Sequence, residues 1–171
     1  MKAISDRIRD IPDFPQPGII FKDLTPVLAD AALMNLVSES LVEPFRESGI
    51  TAVGGMEARG FIFGALAAAK LNVGFIPLRK PGKLPAATHC VTYDLEYGSA
   101  ELHVHQDALS ENDKVLLVDD LIATGGTAAA SCELVEKCGA QIVGTSFVVE
   151  LKFLNGRGVL GNYPIHSLVQ Y

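Results

Sequence analysis

Four apolar residues in a row, Val115-Leu116-Leu117-Val118, run directly into two carboxylates, Asp119 and Asp120, and then into Leu-Ile-Ala-Thr-Gly-Gly-Thr. The run lacks the polar alternation of a half-exposed strand, so it has to be covered on both faces, as strands of a parallel sheet are. An α/β protein with helices flanking a mostly parallel sheet is therefore expected. Side-chain alternation sends the two acids to opposite sides if the strand continues through them. Beyond them, the glycines of Ala123-Thr124-Gly125-Gly126-Thr127 permit positive φ and close approach of a ligand, while hydroxyls and free backbone N–H groups face one point. From Thr127 the sequence turns helical, with Ala128, Cys132 and Val135 on one stripe and Gly139 as the stop. The N-terminus of that helix adds partial positive charge to the loop, which suits a phosphate. A Gly-Gly turn by itself is often only a connector. The acid pair changes that reading, because adjacent carboxylates repel unless they meet a cation or hydroxyls, and ligands of open α/β sheets bind at this strand end.

A similar unit lies upstream. Ile50 to Gly55 is a strand, Met56-Glu57-Ala58-Arg59-Gly60 a loop, and Phe61 to Leu71 a strongly apolar helix. Arg59 fits a helix start or a surface ion pair, and it also fits a phosphate, to which its guanidinium forks two hydrogen bonds. Before this unit, Ile4, Ile8 and Ile11 are spaced for a short helix that Pro12 ends, and Asp13 to Gly18 is irregular. Gly18 to Pro26 is a short apolar strand or loop, in which Phe21 is by default a core residue. A helix is predicted from Asp30, its cap, to about Glu47, stopping at Gly49, with Leu33, Leu36, Val37, Leu41 and Phe45 inward and Pro44 bending its end.

Val73 to Leu78 is a third strand. It leads into Arg79-Lys80-Pro81-Gly82-Lys83, the one concentrated basic patch of the chain. Cys90 to His105 forms two strand-like runs joined near Tyr97-Gly98, expected to be a mobile hairpin; His103 and His105 lack a third ligand and are assigned to its solvent-facing side rather than to a metal. Ala140 to Leu151 is another strand, and Ile165 to Val169 an edge. The glycine-rich connection from Lys152 to Tyr163 shows little readable chemistry.

The formal net charge of −6 argues against a general nucleic-acid or anionic-membrane surface, and no apolar run approaches a membrane span. Cys90, Cys132 and Cys138 make no C-x-x-C pair and read as reduced thiols. A cytoplasmic, single-domain protein with a small-molecule partner is expected.

The strand, Asp119-Asp120 and Ala123–Thr127 together resemble the phosphoribosyl diphosphate signature of the type I phosphoribosyltransferases. Asp13-Phe14-Pro15-x-Pro17-Gly18-Ile19-x-Phe21-x-Asp23, Glu57-Ala58-Arg59-Gly60-Phe61, Arg79 to Pro85 and Tyr93-x-Leu95-Glu96-Tyr97-Gly98 are similar to the adenine-specific branch of that family. The resemblance implies one domain over 1–171, with a small hood at about 1–28, a core at about 29–171 and the hairpin as a lid. It implies transfer of the phosphoribosyl group from phosphoribosyl diphosphate to adenine, giving AMP and diphosphate, with Mg2+ carried on the diphosphate, in a homodimer. It assigns Phe21 and Leu121 to the two faces of adenine, with backbone near Phe21 and Lys22 reading its edge; Lys22 stands where the family more often has Arg. Asp119 and Asp120 fall to the ribose hydroxyls and Ala123, Thr124, Gly125, Gly126 and Thr127 to the 5′-phosphate. The resemblance gives diphosphate to Glu57, Ala58 and Arg59, around a cis bond at Glu57-Ala58, with Arg79, Lys80 and Lys83 joining them. It makes Glu96 the catalytic carboxylate in the lid beside Tyr97. A nucleic-acid-binding regulator on the same fold would need an added basic face, for which the charge leaves no room. A hypoxanthine-guanine enzyme would need a lysine-bearing base-recognition pattern, which this sequence lacks.

Overall fold

A computed structural model of the chain describes residues 1–94 and 98–171. In chain order it contains α1 (Lys2–Ser5), β1 (Arg9–Pro12), β2 (Ile20–Asp23), α2 (Thr25–Leu28), α3 (Ala31–Val42), β3 (Ala52–Met56), α4 (Gly60–Leu71), β4 (Gly74–Leu78), β5 (Thr88–Asp94), β6 (Ser99–His105), β7 (Lys114–Ile122), α5 (Gly126–Lys137), β8 (Gln141–Glu150) and β9 (Ile165–Gln170). Five strands form one sheet in the order β4-β3-β7-β8-β9, every pair parallel. The central position belongs to β7, and Val115 to Val118 are all fully buried. Their side chains divide between two cores. Leu116 and Val118 pack with the α3 and α4 side, while Val115 and Leu117 pack with α5 and the β5–β6 hairpin. A strand with helices over one face and a helix plus hairpin over the other needs apolar residues at every position, which is what the unbroken run supplies.

Local signals explain most boundaries. Asp30 caps α3 by accepting from the Ala32 and Leu33 amides, and Pro44 turns the continuation into a 3₁₀ segment, Glu43–Ser48, that ends at Gly49 in the left-handed region. Of the inward positions expected on that helix, Leu36 is instead exposed, while Leu33, Val37, Leu41 and Phe45 are buried.

The N-terminal helix expected over Ile4, Ile8 and Ile11 stops at Ser5. Residues from Arg9 onward pair antiparallel with β2, placing Ile11 opposite Phe21, and the ion pairs Arg9–Asp23 at 2.6 Å and Lys22–Asp10 at 2.7 Å tie the ladder together. Cross-strand pairing outweighs a weak local helical period over so few residues. The two strand-like runs expected between Cys90 and His105 form the antiparallel pair β5 and β6. Val91, Leu102 and Val104 are buried against α5, and Arg79 and His103 exchange backbone hydrogen bonds at 2.8 and 2.7 Å, joining β6 to the end of β4.

Candidate functional site

The carboxyl ends of β3 and β7 are neighbours in the sheet, so the loops that follow them open side by side. After β7 the strand runs through both acids to Ile122, and the chain turns at Gly125, whose φ of +87° a side chain would strain. Helix α5 starts at Gly126, one residue earlier than its sequence pattern predicts. Asp119, Leu121 and residues 122–128, with Phe147 behind, enclose a cavity of about 90 Å³. Its size and its rim of backbone amides at a helix N-terminus fit a single phosphate group.

A second cavity of about 340 Å³ adjoins it, lined by Glu57, Ala58, Arg59, Asp119, Asp120, Leu121 and Thr127. Asp119, Leu121 and Thr127 belong to both, so the two cavities form one continuous cleft. The peptide bond Glu57-Ala58 is cis, as the sequence resemblance led us to expect. Arg59 donates from Nε to Asp120 at 2.5 Å, and its guanidinium carbon sits 5.3 Å from the centre of the Phe21 ring. The arginine thus supplies the cation that the acid pair requires and lies between that pair and the N-terminal hairpin. Asp120 is buried, whereas Asp119 keeps an opening to the cleft. Burial, and then the neighbouring Asp120 charge, push the Asp119 carboxyl well above the ordinary range; the Asp120 amide, donating to Asp119 at 2.8 Å, only partly offsets them.

The loop after β3 is braced from the basic segment. Glu57 accepts from the Lys80 amide at 2.8 Å and from Arg79 at 3.3 Å, while Arg79 also donates to the Lys83 carbonyl at 3.2 Å. Desolvation works to raise the Glu57 carboxyl, but these donors outweigh it and leave it lowered. Arg79 and Lys80 are therefore brought to the cleft's edge, with Arg79 turned onto Glu57 of its own chain.

The predicted adenine residues separate by face. Phe21, with Phe14 edge-on at 5.1 Å, is turned to Arg59, whereas the Lys22 ammonium lies 3.7 Å from the centre of the Tyr171 ring and pairs with Asp10. The Lys22 side chain is thus engaged by Tyr171 and Asp10. Gln16, Ile19, Ile20, Lys22, Leu151, Phe153 and Tyr171 help line a further, mostly apolar hollow of about 510 Å³. Glu96 and Tyr97 lie outside the described residues. His103 is engaged by Thr88 and Glu101, each at 3.1 Å, and among the described residues no group of three or more His, Cys, Asp or Glu could hold a metal ion.

Sequence reasoning missed two supports. Gly60 fits so tightly under β7 that a Cβ there would come within 2.6 Å of an Asp119 oxygen. Gly156 meets the phosphate loop: a Cβ at Gly125 would overlap its carbonyl, and a Cβ at Gly156 would overlap that of Ala123. The only signal in the sequence was a glycine repeat, Asn155-Gly156-Arg157-Gly158, in a connection of no clear period.

Residues 28–153 match the family model described as phosphoribosyl transferase domain. The chain is 60% identical over its full length, and over the full length of the relative, to the adenine phosphoribosyltransferase of Nitrosococcus oceani. The crystal structure of adenine phosphoribosyltransferase from Thermoanaerobacter pseudethanolicus is similar with a TM-score of 0.96 at 49% identity, covering 99% of each chain. That of the Saccharomyces cerevisiae enzyme, complexed with adenine and an imino-altritol bisphosphate, gives 0.93 at 40% identity over 98% of this chain and 97% of that one.

Proposed function

The chain belongs to the adenine phosphoribosyltransferase family, and from that premise we propose how its residues carry the family's reaction. The enzyme is a pentosyl-transferring glycosyltransferase of purine salvage: adenine N9 displaces diphosphate from C1′ of phosphoribosyl diphosphate, giving AMP. The observation that carries the assignment of roles is the continuous cleft, in which the phosphate-sized cavity and the acid-lined cavity share Asp119, Leu121 and Thr127. The 5′-phosphate occupies the loop Ala123–Thr127, the ribose hydroxyls meet Asp119 and Asp120, and diphosphate lies along Glu57-Ala58-Arg59. Adenine stacks between Phe21 and Leu121, its edge read by the backbone at Lys22. The hairpin β1–β2 serves as the hood.

As diphosphate departs, positive charge grows on the ribose, and the carboxylates beside it stabilise that charge while the cations of the basic segment hold the leaving group. Mg2+ would enter on phosphoribosyl diphosphate and neutralise part of its charge, and Asp119, which opens to the cleft, would be the carboxylate placed to face it. Glu96 takes or returns the proton at the base as N9 becomes bonded. A homodimer completes the site, with the basic segment Arg79 to Lys83 reaching toward diphosphate held by the partner subunit and Arg79 exchanging Glu57 for it. Exchanging subunits between Arg79→Ala and Glu96→Ala proteins should then restore up to about a quarter of wild-type activity, since half the dimers are mixed and each carries one intact site. No recovery despite proven exchange would remove the shared site.

The direct test of the reaction supplies phosphoribosyl diphosphate, magnesium and one purine at a time. Adenine alone should turn over efficiently, because a site reading an amino group with backbone partners leaves polar atoms unpaired against a 6-oxo base. Comparable turnover of guanine or hypoxanthine would sink the specificity assignment.

A further inference from the structure

Behind the phosphate loop lies a charge cluster that takes no part in the cleft. Glu150, at the end of β8 and 4% exposed, is next to Ile122, the last residue of β7, in the sheet register, and the Leu151 amide donates to the Ile122 carbonyl at 3.0 Å. Arg157 forks onto that carboxylate, donating from Nε at 2.6 Å and from Nη2 at 2.8 Å, and reaches the Ile165 carbonyl at 3.1 Å and the Ser167 hydroxyl at 3.1 Å. Ser167 donates to the same carboxylate at 2.6 Å and Gln170 at 3.3 Å. The Arg157 hydrogen bonds hold Glu150 below the ordinary carboxyl range, and Glu150 in turn raises Arg157. Every side-chain hydrogen bond of Arg157 among the described residues thus runs to β8 or β9.

What the cluster holds is the residue before Arg157. Gly156 is buried with its backbone so close to Ala123 and Gly125 that neither glycine has room for a methyl group. The Ala123 carbonyl and the Gly125 amide therefore rest on a turn that is followed directly by Arg157, whose half-exposed side chain is paired to the buried Glu150 carboxylate between two sheet strands. A loop that presents amides to an anion acts only if those amides are held where the anion needs them.

We propose that Arg157, with Glu150 as its anchor, is a positioning residue for the phosphate loop: it clamps the Asn155–Gly156 turn against Ala123–Gly125 and so presets the amides that bind a phosphate monoester. The proposal rests on the reading of that loop as the 5′-phosphate site. Lysine at 157 keeps the charge but loses the fork, so the carboxylate stays neutralised while the turn loosens. A methyl group at Gly156 acts from the other side by pushing directly on the Ala123 carbonyl.

Steady-state kinetics on the full chain tests the clamp, using Arg157→Lys, Gly156→Ala, Thr127→Ala and the remote core variant Val37→Ala. Arg157→Lys and Gly156→Ala should each raise KM for phosphoribosyl diphosphate on the order of tenfold, leaving KM for adenine within about twofold. Both should blunt the rise in Tm that AMP gives wild type. Val37→Ala should lower Tm with both KM values unchanged, which separates positioning from general loss of stability. If Gly156→Ala does not fold, Arg157→Lys decides alone. A normal KM for phosphoribosyl diphosphate in Arg157→Lys, with Thr127→Ala raised, overturns the clamp and spares the phosphate site. A normal KM in Thr127→Ala as well removes both.

Discussion

The loops after β3 and β7 end adjacent parallel strands and open into one cleft, yet they are built in different ways. The β7 loop makes its shape from its own backbone: Gly125 in the left-handed region, the start of α5 and a second stretch of backbone at Gly156. The β3 loop is held through its own side chains, with Glu57 accepting from the Lys80 amide and the Arg79 guanidinium, and Arg59 tied to Asp120. The difference fits the different tasks proposed for the two loops. A backbone cradle of fixed geometry suits a single phosphate that stays on the sugar throughout, whereas a loop whose ion pairs can exchange suits a charged group that arrives and leaves.

The largest effect should come from the acid that both cavities share. On the proposed roles Asp119→Asn removes a carboxylate that faces the ribose, and kcat/KM for phosphoribosyl diphosphate should fall on the order of a hundredfold or more. Its stability should hold or rise at neutral pH, because burial and Asp120 already disfavour the ionised carboxyl. A lower Tm with an unchanged KM would make Asp119 a structural residue and leave the β7 loop without its ribose contact.

Next in size are the hydroxyls of the cradle. Thr124→Ala and Thr127→Ala should raise KM for phosphoribosyl diphosphate about tenfold, and AMP should protect them from heat much less than wild type. Thr127 also donates to the Tyr93 hydroxyl at 3.3 Å, so a phenylalanine at 93 serves as the control for that contact. Arg59→Ala probes the side-chain-built loop instead. Its loss leaves the buried Asp120 without a cation, but half of the Arg59 side chain is exposed, so the cost in urea unfolding should be only about 1–2 kcal/mol. If Arg59→Ala costs no stability while Thr127→Ala does, the assignment of backbone and side-chain support to the two loops is reversed.

How far the sequence spoke for each loop follows from the same contrast. The β7 strand, acids and cradle lie within fourteen consecutive residues, from Lys114 to Thr127, so composition and spacing alone pointed to an interior strand and an anion loop. The β3 loop offered Glu57-Ala58-Arg59 with no local clue that Arg59 would cross to an acid sixty-one positions on, or that Glu57 would be held from the segment after β4. Resemblance, not periodicity, gave its cis bond. The misread N-terminal element fails for a related reason. The isoleucines there have a helical spacing, but β1 takes its structure from β2, and the packing of the correctly expected β5–β6 hairpin against α5 was likewise not legible. Gly156 and Arg157 stayed silent because close backbone approach leaves no pattern in hydrophobicity. A pairing across the fold is visible only when both ends of it are in place.

The smallest effect distinguishes the loops by sign. Glu57 has a carboxyl lowered in the folded state: desolvation opposes ionisation, but the Lys80 amide and the Arg79 guanidinium overcome it. Its contribution to stability is therefore present above the ordinary carboxylate range near about 4 and is lost as pH falls through its folded value. Asp119 has a raised carboxyl, so folding is favoured while it is protonated, and that contribution is lost as pH rises from the ordinary range through its folded value. Thermal melts of wild type, Glu57→Gln and Asp119→Asn across acid to neutral pH separate the two. The stability that wild type holds over Glu57→Gln should shrink toward acid, while the advantage of Asp119→Asn over wild type should grow toward neutrality, each amounting to roughly 2 °C in Tm for a domain of this size. Parallel curves for all three proteins would mean that neither carboxyl senses its loop. A difference of the same sign for both would show that one environment, and not two separately built loops, governs the pair.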